Sequence, residues 1–258
     1  AYIIALAGAL VLLCTVQSCQ NSNIALSICA DSFLGSCYLL SLYLGCFAYP
    51  DEPAICFHVV AVVLPMLFMT KPGFAQKIRE YVENGGTVVA TYLLGYVDES
   101  TLCWLGGFPG DGLREVFGVT ASELDTLYPG EGNRAIWVKS SQQSSIKDYC
   151  ELLQPAEGTE VVAVYGQDFY SGHAAVTHHV FGKGHAYYIG ARLDDAGNAA
   201  VLRAALADAK VHLRDLPQGV EYHCRESENA RYHFYINTTQ SAVKVQVESG
   251  ADLLSGKN

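Results

Sequence analysis

Hydrophobic positions in the middle of the chain fall into two kinds of run. Phe57–Leu64, FHVVAVVL, is unbroken, the mark of a strand covered on both faces. Phe74, Ile78, Tyr81 and Val82 recur instead at helical spacing, with Gln76, Lys77, Arg79, Glu80 and Glu83 on the other side. Thr70 is placed to cap this predicted helix, and Pro72 suits its first turn, where a missing N–H costs nothing. Asn84-Gly85-Gly86 should stop it, and Thr87–Thr91, TVVAT, reads as the next buried strand. Together these make a β-α-β unit, for which a right-handed crossover is expected.

The pattern continues less cleanly. Leu113–Gly118 reads as a short helix ending at glycine, and Ala121–Asn133 as an acidic stretch with a turn. Ile136–Val138 and Val161–Tyr165 read as strands, with Ser140–Ser145, SSQQSS, as a polar surface loop between them. Ala174–Phe181 and His185–Gly190 form a predicted hairpin around Gly182-Lys183-Gly184. Asp194–Lys210 is the last helix, with Val201, Leu202, Ala205 and Leu206 as its apolar side. Leu216-Pro217-Gln218-Gly219 marks a domain boundary. Beyond it Val220, Tyr222 and Cys224, then Tyr232, Phe234 and Ile236, then Val243, Val245 and Val247 alternate as three strands with these residues on one face. About 40 residues do not easily sustain a core, so this sheet should pack on another domain.

The start of the chain is different. Ala1–Val16 is apolar throughout but shorter than the roughly 20 residues of a membrane span, and it lacks the basic flank of a secretory signal. A buried first strand is the reading that fits best. Ile24–Gly45 has apolar residues at Leu34, Tyr38 and Leu42, as a helix on a sheet would. Residues 1–70 carry three acids (Asp31, Asp51, Glu52) and no Lys or Arg, so such a helix would have little to hydrate its outer face.

Composition narrows the function classes. The formal charge is −10 and no basic residues cluster, which argues against nucleic acid as a partner. Of the nine cysteines, six lie before residue 57, and no CxxC pair occurs, so neither a zinc ribbon nor a disulfide framework is indicated. Reduced, buried thiols in a cytoplasmic protein are the expectation.

The best place to look for chemistry is the loop after Thr91, YLLGYVDESTLCWLGGFPGDG, because ligands of open α/β sheets bind at the carboxyl ends of the strands. Tyr92, Leu93, Leu94 and Gly95 follow the strand, and none is a nucleophile. Adjacent Asp98 and Glu99 read as solvated or capping groups. Gly106–Gly112 lacks the Lys-Ser/Thr ending of a phosphate loop and reads as a tight loop fitted against a neighbour. Trp104 and Phe108 are its candidate interface anchors. His178 and His179 are consecutive on a strand and point to opposite faces; His185 lies across the hairpin from one of them. A metal pair there competes with a plain surface hairpin, and the plain hairpin is preferred. No catalytic residue, cofactor or metal is therefore expected.

LPMLFMTKPG, ENGGTVVATY, GYVDESTLCWLGGFPGDGLREVFGV and ELDTLYPGEGN, taken in order, resemble the trimerisation domain of family 42 β-galactosidases. The likeness resumes over Tyr165–Asp194, and LPQGVEYHCRE, RYHFYINTT and DLLSG resemble that family's small C-terminal β domain. It covers the chain from about Ala48 onward; residues 1–47 match poorly. The resemblance implies a flavodoxin-like sandwich, similar to class I glutamine amidotransferases, over residues 1–214, and a small antiparallel β domain over residues 215–258. The family continues past DLLSG with a further strand, so the β domain is expected to be incomplete here. The resemblance also implies a homotrimer and an upstream (β/α)8 barrel whose two glutamates hydrolyse terminal β-D-galactosides. The 258 residues are taken up by the two downstream domains, so the expected role is non-catalytic subunit association in a cytoplasmic enzyme. The partners would be further copies of the chain and the barrel, which alone meets the galactoside. Two alternatives stand beside it: a free-standing amidotransferase-like enzyme using Cys103 with a histidine, and a binding module anchored to a membrane by residues 1–16.

Overall fold

The structure, a computed structural model, describes residues 15–16, 58–59, 61–211, 213–227, 229–247 and 250–254. Most of the predicted first strand and all of the Ile24–Gly45 helix lie outside these residues. Thr15–Val16 (β1) and His58–Val59 (β2) pair antiparallel as a two-stranded sheet. The chain divides into two compact units, the first ending at Val211 and the second taking the described residues beyond it.

The first unit is built on one mixed sheet. Its strands are β3 (Ala61–Leu64), β4 (Thr87–Thr91), β5 (Val119–Thr126), β6 (Asn133–Trp137), β7 (Gln143–Pro155), β8 (Glu160–Tyr165), β9 (Ala174–Phe181), β10 (Gly184–Ile189) and β11 (Ala191–Leu193). The spatial order is β11-β7-β6-β8-β9-β10-β4-β3, with β5 paired to β7. β4 runs parallel to both β3 and β10, and every other pairing is antiparallel.

The side-chain alternation of β4 sorts the core. Val88 and Ala90 enter one hydrophobic cluster, with Ile78 and Val82 of helix α1 (Phe74–Glu83) and Leu113, Val116 and Phe117 of helix α2 (Leu113–Phe117). Val89 enters the opposite cluster, with Val201 and Ala205 of helix α3 (Asp195–Asp208). Helices thus cover both faces of the parallel strands, which is why those strands read as unbroken apolar runs. Each fully buried valine contributes about 1.5 kcal/mol or more.

Helix α1 ends as its sequence predicts. The Gly85 N–H bonds to the Val82 carbonyl and the Gly86 N–H to that of Tyr81, the paired bonds of a Schellman stop. Its start differs from expectation. Gly73, in a left-handed conformation, is the N-cap, and no side chain caps the helix. Thr70 is buried instead and accepts a bond from the Trp104 indole, which takes its hydroxyl away from the helix.

Three strands of the first unit were not predicted, the short β11 among them. β5 occupies the acidic stretch, and β7 begins inside the supposed polar loop, at Gln143. Ser144 is buried because its hydroxyl accepts from the Trp137 indole at 2.9 Å, so a polar residue fills a core position.

In the second unit β12 (Val220–Glu226) and β13 (Arg231–Asn237) form an antiparallel pair. Residues 242–247 form no strand, so the predicted third strand is absent. The register sets Tyr222 opposite Tyr235 and His223 opposite Phe234. Tyr222 and Phe234 are therefore on opposite faces, contrary to the single apolar face expected. Tyr222 is buried under the Arg214 guanidinium, whereas Tyr232, Phe234 and Ile236 are exposed.

Gly118 offers a test of the first unit's packing. It closes α2 at φ 62°, and a Cβ there would lie 2.2 Å from the Thr159 hydroxyl and 2.6 Å from the His179 ring. Gly118→Ala is expected to cost about 2–4 kcal/mol in urea denaturation, combining left-handed strain with overpacking. A loss well under 1 kcal/mol would show that the neighbours yield.

Candidate functional site

The end of β4 and the loop after it are held by one carboxylate. β4 is pinned to β10 through the Tyr92 N–H, which reaches the Ile189 carbonyl at 2.7 Å. The chain then turns sharply at Leu93, whose φ of 60° is unusual for a branched residue and costs on the order of 1–2 kcal/mol. The Leu93 N–H donates to Glu151 Oε1 at 2.8 Å. The Tyr96 hydroxyl donates to the same oxygen at 2.9 Å, and the Tyr188 hydroxyl to Oε2 at 2.8 Å. Glu151 is fully buried on β7, and it is the only charged side chain in the core among the described residues. Burial pushes its carboxyl pKa up, against the pull of the three donors. Burial, reinforced by Glu151, also holds both tyrosine hydroxyls well above their ordinary range, so they stay protonated as donors.

The turn itself carries no nucleophilic side chain. Its left-handed position carries a half-buried leucine, whose backbone N–H is already bonded to Glu151. Cys103 is exposed but lies ten residues on, bridged to Val97 in the loop. Burial pushes the Cys150 thiol up to about 11, which keeps it an unreactive core group. The cysteines at 103, 150 and 224 are free, and Cys103 departs from the expectation that such thiols would be buried.

The loop folds back on itself. Tyr96 stacks flat on Phe108 at 3.8 Å and on Phe68 at 5.7 Å. Phe108, joined to Pro109 by a cis peptide, also packs against the core. The Trp104 indole donates to the Thr70 hydroxyl at 3.0 Å. A Cβ at Gly110 would lie 2.5 Å from the Gly95 carbonyl oxygen and 2.6 Å from Trp104, so this glycine serves packing inside the loop. Asp98 Oδ1 accepts from the N–H groups of Ser100 and Leu102, the capping role expected of it. Trp104 and Phe108 are thus half-buried braces. The apolar side chains presented to solvent are Leu105, 95% exposed, Leu102, 66% exposed, and Phe68.

The histidines separate as the strand alternation requires. His179 faces α2, its Nδ1 2.9 Å from the Val116 carbonyl. His178 lies on the other face, with Nε2 3.0 Å from Nδ1 of His185. His173 joins neither; its backbone closes the turn before β9. Sequence reasoning missed Glu151 altogether. Its signal was an acid inside an apolar run, Tyr149-Cys150-Glu151-Leu152-Leu153.

The Glu151 bonds generate a stability prediction. Glu151→Leu strands one N–H and two hydroxyls in the core and is expected to cost about 3 kcal/mol or more. Glu151→Gln retains an acceptor oxygen and should cost less than half as much. The pH dependence has a definite sign. Because the folded pKa lies above the ordinary 4.5, the folded chain keeps a proton that the unfolded chain releases as pH rises past that value. Stability therefore falls with rising pH through that window, and Glu151→Gln lacks the effect. Urea titrations of both proteins at a series of pH values measure it; a difference constant with pH would count against the buried carboxyl.

The arrangement has known relatives. The β-galactosidase trimerisation domain family matches residues 58–212. The β-galactosidase BglY of Alicyclobacillus acidocaldarius is 40% identical over 198 residues, covering 72% of this chain and 28% of the relative. The β-galactosidase Pbg of Clostridium perfringens is 38% identical over 197 residues with the same coverage. A solved β-galactosidase from Bacillus circulans sp. alkalophilus superimposes with a TM-score of 0.64 at 35% identity, over 69% of this chain and 27% of that one. The chain thus spans a little over a quarter of each of these proteins. It is a mixed α/β unit with a second small antiparallel sheet, and it belongs to the β-galactosidase trimerisation domain family.

Proposed function

We propose that the chain's own work is subunit association in a homotrimeric, cytoplasmic β-galactosidase. Hydrolysis of terminal β-D-galactosides falls to a (β/α)8 barrel elsewhere in the protein, whose paired glutamates supply acid/base and nucleophile. The galactoside reaches this chain only through that barrel. The core is read as an amidotransferase-like sandwich without its nucleophile. The support is the parallel β3-β4-β10 centre and a left-handed elbow occupied by Leu93.

One observation carries the assembly reading. The loop from Tyr92 to Gly112 spends its aromatic groups on bracing itself, yet it leaves Leu105 and Leu102 in water. A rigid loop presenting apolar tips has already met its ordering cost, so burying those tips between subunits yields close to their full transfer free energy, about 25 cal/mol per Å2. Trp104 and Phe108 anchor the interface by holding the loop's shape, and the two leucines make its outer contacts. The amidotransferase-like enzyme is disfavoured by the leucine at the elbow. No helix among the described residues is long and apolar enough to cross a membrane, and residues 1–14 lie outside the description.

Light scattering on the purified chain is expected to give a trimer. The double substitution Leu102→Asp and Leu105→Asp should convert it to a monomer with little change in unfolding midpoint. Trp104→Ala and Phe108→Ala should weaken folding and assembly together. A trimer that survives all four changes removes the loop from the contact, and a stable monomer of the unaltered chain at micromolar concentration removes the assembly reading. The same preparation should give no turnover of a chromogenic galactoside above a blank.

A further inference from the structure

On the sheet face away from α2, three metal-ligating side chains converge where α3 ends. His178 on β9 pairs with Tyr187 on β10, and His185 stands two residues earlier on β10, so all three rings share one face. The His178 ring stacks on Tyr187 at 4.4 Å and on His185 at 5.2 Å, which fixes its plane. Asp208, the last residue of α3, brings its carboxylate to the same place. The ligand atoms form a compact triangle. His178 Nε2 and His185 Nδ1 are 3.0 Å apart, and they lie 3.7 and 3.6 Å from Asp208 Oδ2.

We propose that His178, His185 and Asp208 bind a divalent zinc-type cation. The point equidistant from the three atoms is about 2.0 Å from each, the length of a Zn–N or Zn–O bond. An ion at bond length sits about half an ångström out of the triangle's plane, with its outer side left for a fourth ligand. The three side chains keep between 14% and 33% exposure, so water can supply that ligand. Two imidazoles with one carboxylate favour Zn2+ over Ca2+ or Mg2+, which want oxygen alone.

Two features of the surroundings fit a ligand set better than a surface hairpin. First, the ligands are themselves oriented. His178 Nδ1 is 3.4 Å from Glu160 Oε2, the carboxylate–histidine arrangement that directs Nε2 at a metal. Glu160 is held in turn by Lys139 at 2.8 Å, and the Tyr187 hydroxyl donates to Asp208. Second, the site is at the carboxyl end of a fourteen-residue helix, where the peptide dipoles favour positive charge. Ligation requires the tautomers with His178 protonated on Nδ1, toward Glu160, and His185 protonated on Nε2, which leave Nε2 and Nδ1 free for the ion. The ion would tie the last turn of α3 to the β9–β10 hairpin.

The test uses the full chain stripped with chelator and titrated calorimetrically with ZnCl2. Binding of one Zn2+ that is weakened at least tenfold by His185→Ala is expected, together with a raised unfolding temperature that the variant lacks. Asp208→Asn, nearly isosteric, should weaken binding to a similar degree and keeps the test open if His185→Ala folds poorly. Glu160→Gln should weaken it by roughly tenfold through orientation alone. Co2+ in place of Zn2+ separates this site from the nine cysteines, because thiolate ligation adds an intense near-ultraviolet charge-transfer band. Equal affinity in wild type and both ligand variants, a cobalt spectrum of thiolate type only, or affinity no better than millimolar would overturn the proposal.

Discussion

A single buried carboxylate holds three donors of the first unit in place. Glu151 comes from the antiparallel part of the sheet. Its oxygens reach the turn after β4, the hydroxyl of Tyr96 in the loop, and that of Tyr188 on a parallel strand. Its backbone is tied in as well: its N–H bonds to the Gly190 carbonyl, and its own carbonyl lies 2.8 Å from the Tyr165 hydroxyl. Burying a carboxyl is costly, and only such complete pairing makes it tolerable. An apolar side chain could fill the space but could not satisfy three donors that the elbow and the two tyrosines bring with them.

That pairing explains how the strained turn persists. A left-handed leucine at the end of a parallel strand is unfavourable alone, yet its N–H meets an acceptor fixed by a thirteen-residue strand. The turn then sets the direction of the loop, and Tyr96 carries the constraint outward. Its hydroxyl is fixed on Glu151 and its ring on Phe108, so the carboxylate sets the position of a loop whose tips reach solvent.

The parallel part of the fold was legible because its strands are covered on both faces. AVVL, the part of FHVVAVVL that forms β3, and TVVAT are apolar runs, and Asn84-Gly85-Gly86 carries its own stop signal; His58–Val59, read as part of the same strand, pairs antiparallel with β1 instead. The antiparallel part was hidden because burial there is local. β7 is half polar, and its Ser144 lies in the core only because a distant indole finds it. The same limit concealed the site. Trp104 and Phe108 were visible as aromatics in a glycine-rich loop, but a sequence does not say that their partners are Thr70 and Tyr96. The two histidines were visible at hairpin spacing, whereas Asp208, more than twenty residues on, joins them only through the return of α3. In the second unit alternation marked two strands correctly and misjudged their shared face, because register, not spacing, decides which residues oppose one another.

The placement of β10 between β4 and β9 bears on how the chain is made. β4 finds β3 almost at once, but its other parallel neighbour begins at Gly184, about ninety residues later. Every strand from β5 to β9 lies in that interval, and Tyr188, one of the three donors to Glu151, arrives only at its end. During synthesis the elbow must therefore wait, with its carboxylate incompletely satisfied, until β10 has left the ribosome. Contacts so distant in sequence slow folding. They also impose an order: the loop gains the last of its ties to the sheet only once nearly the whole sheet exists.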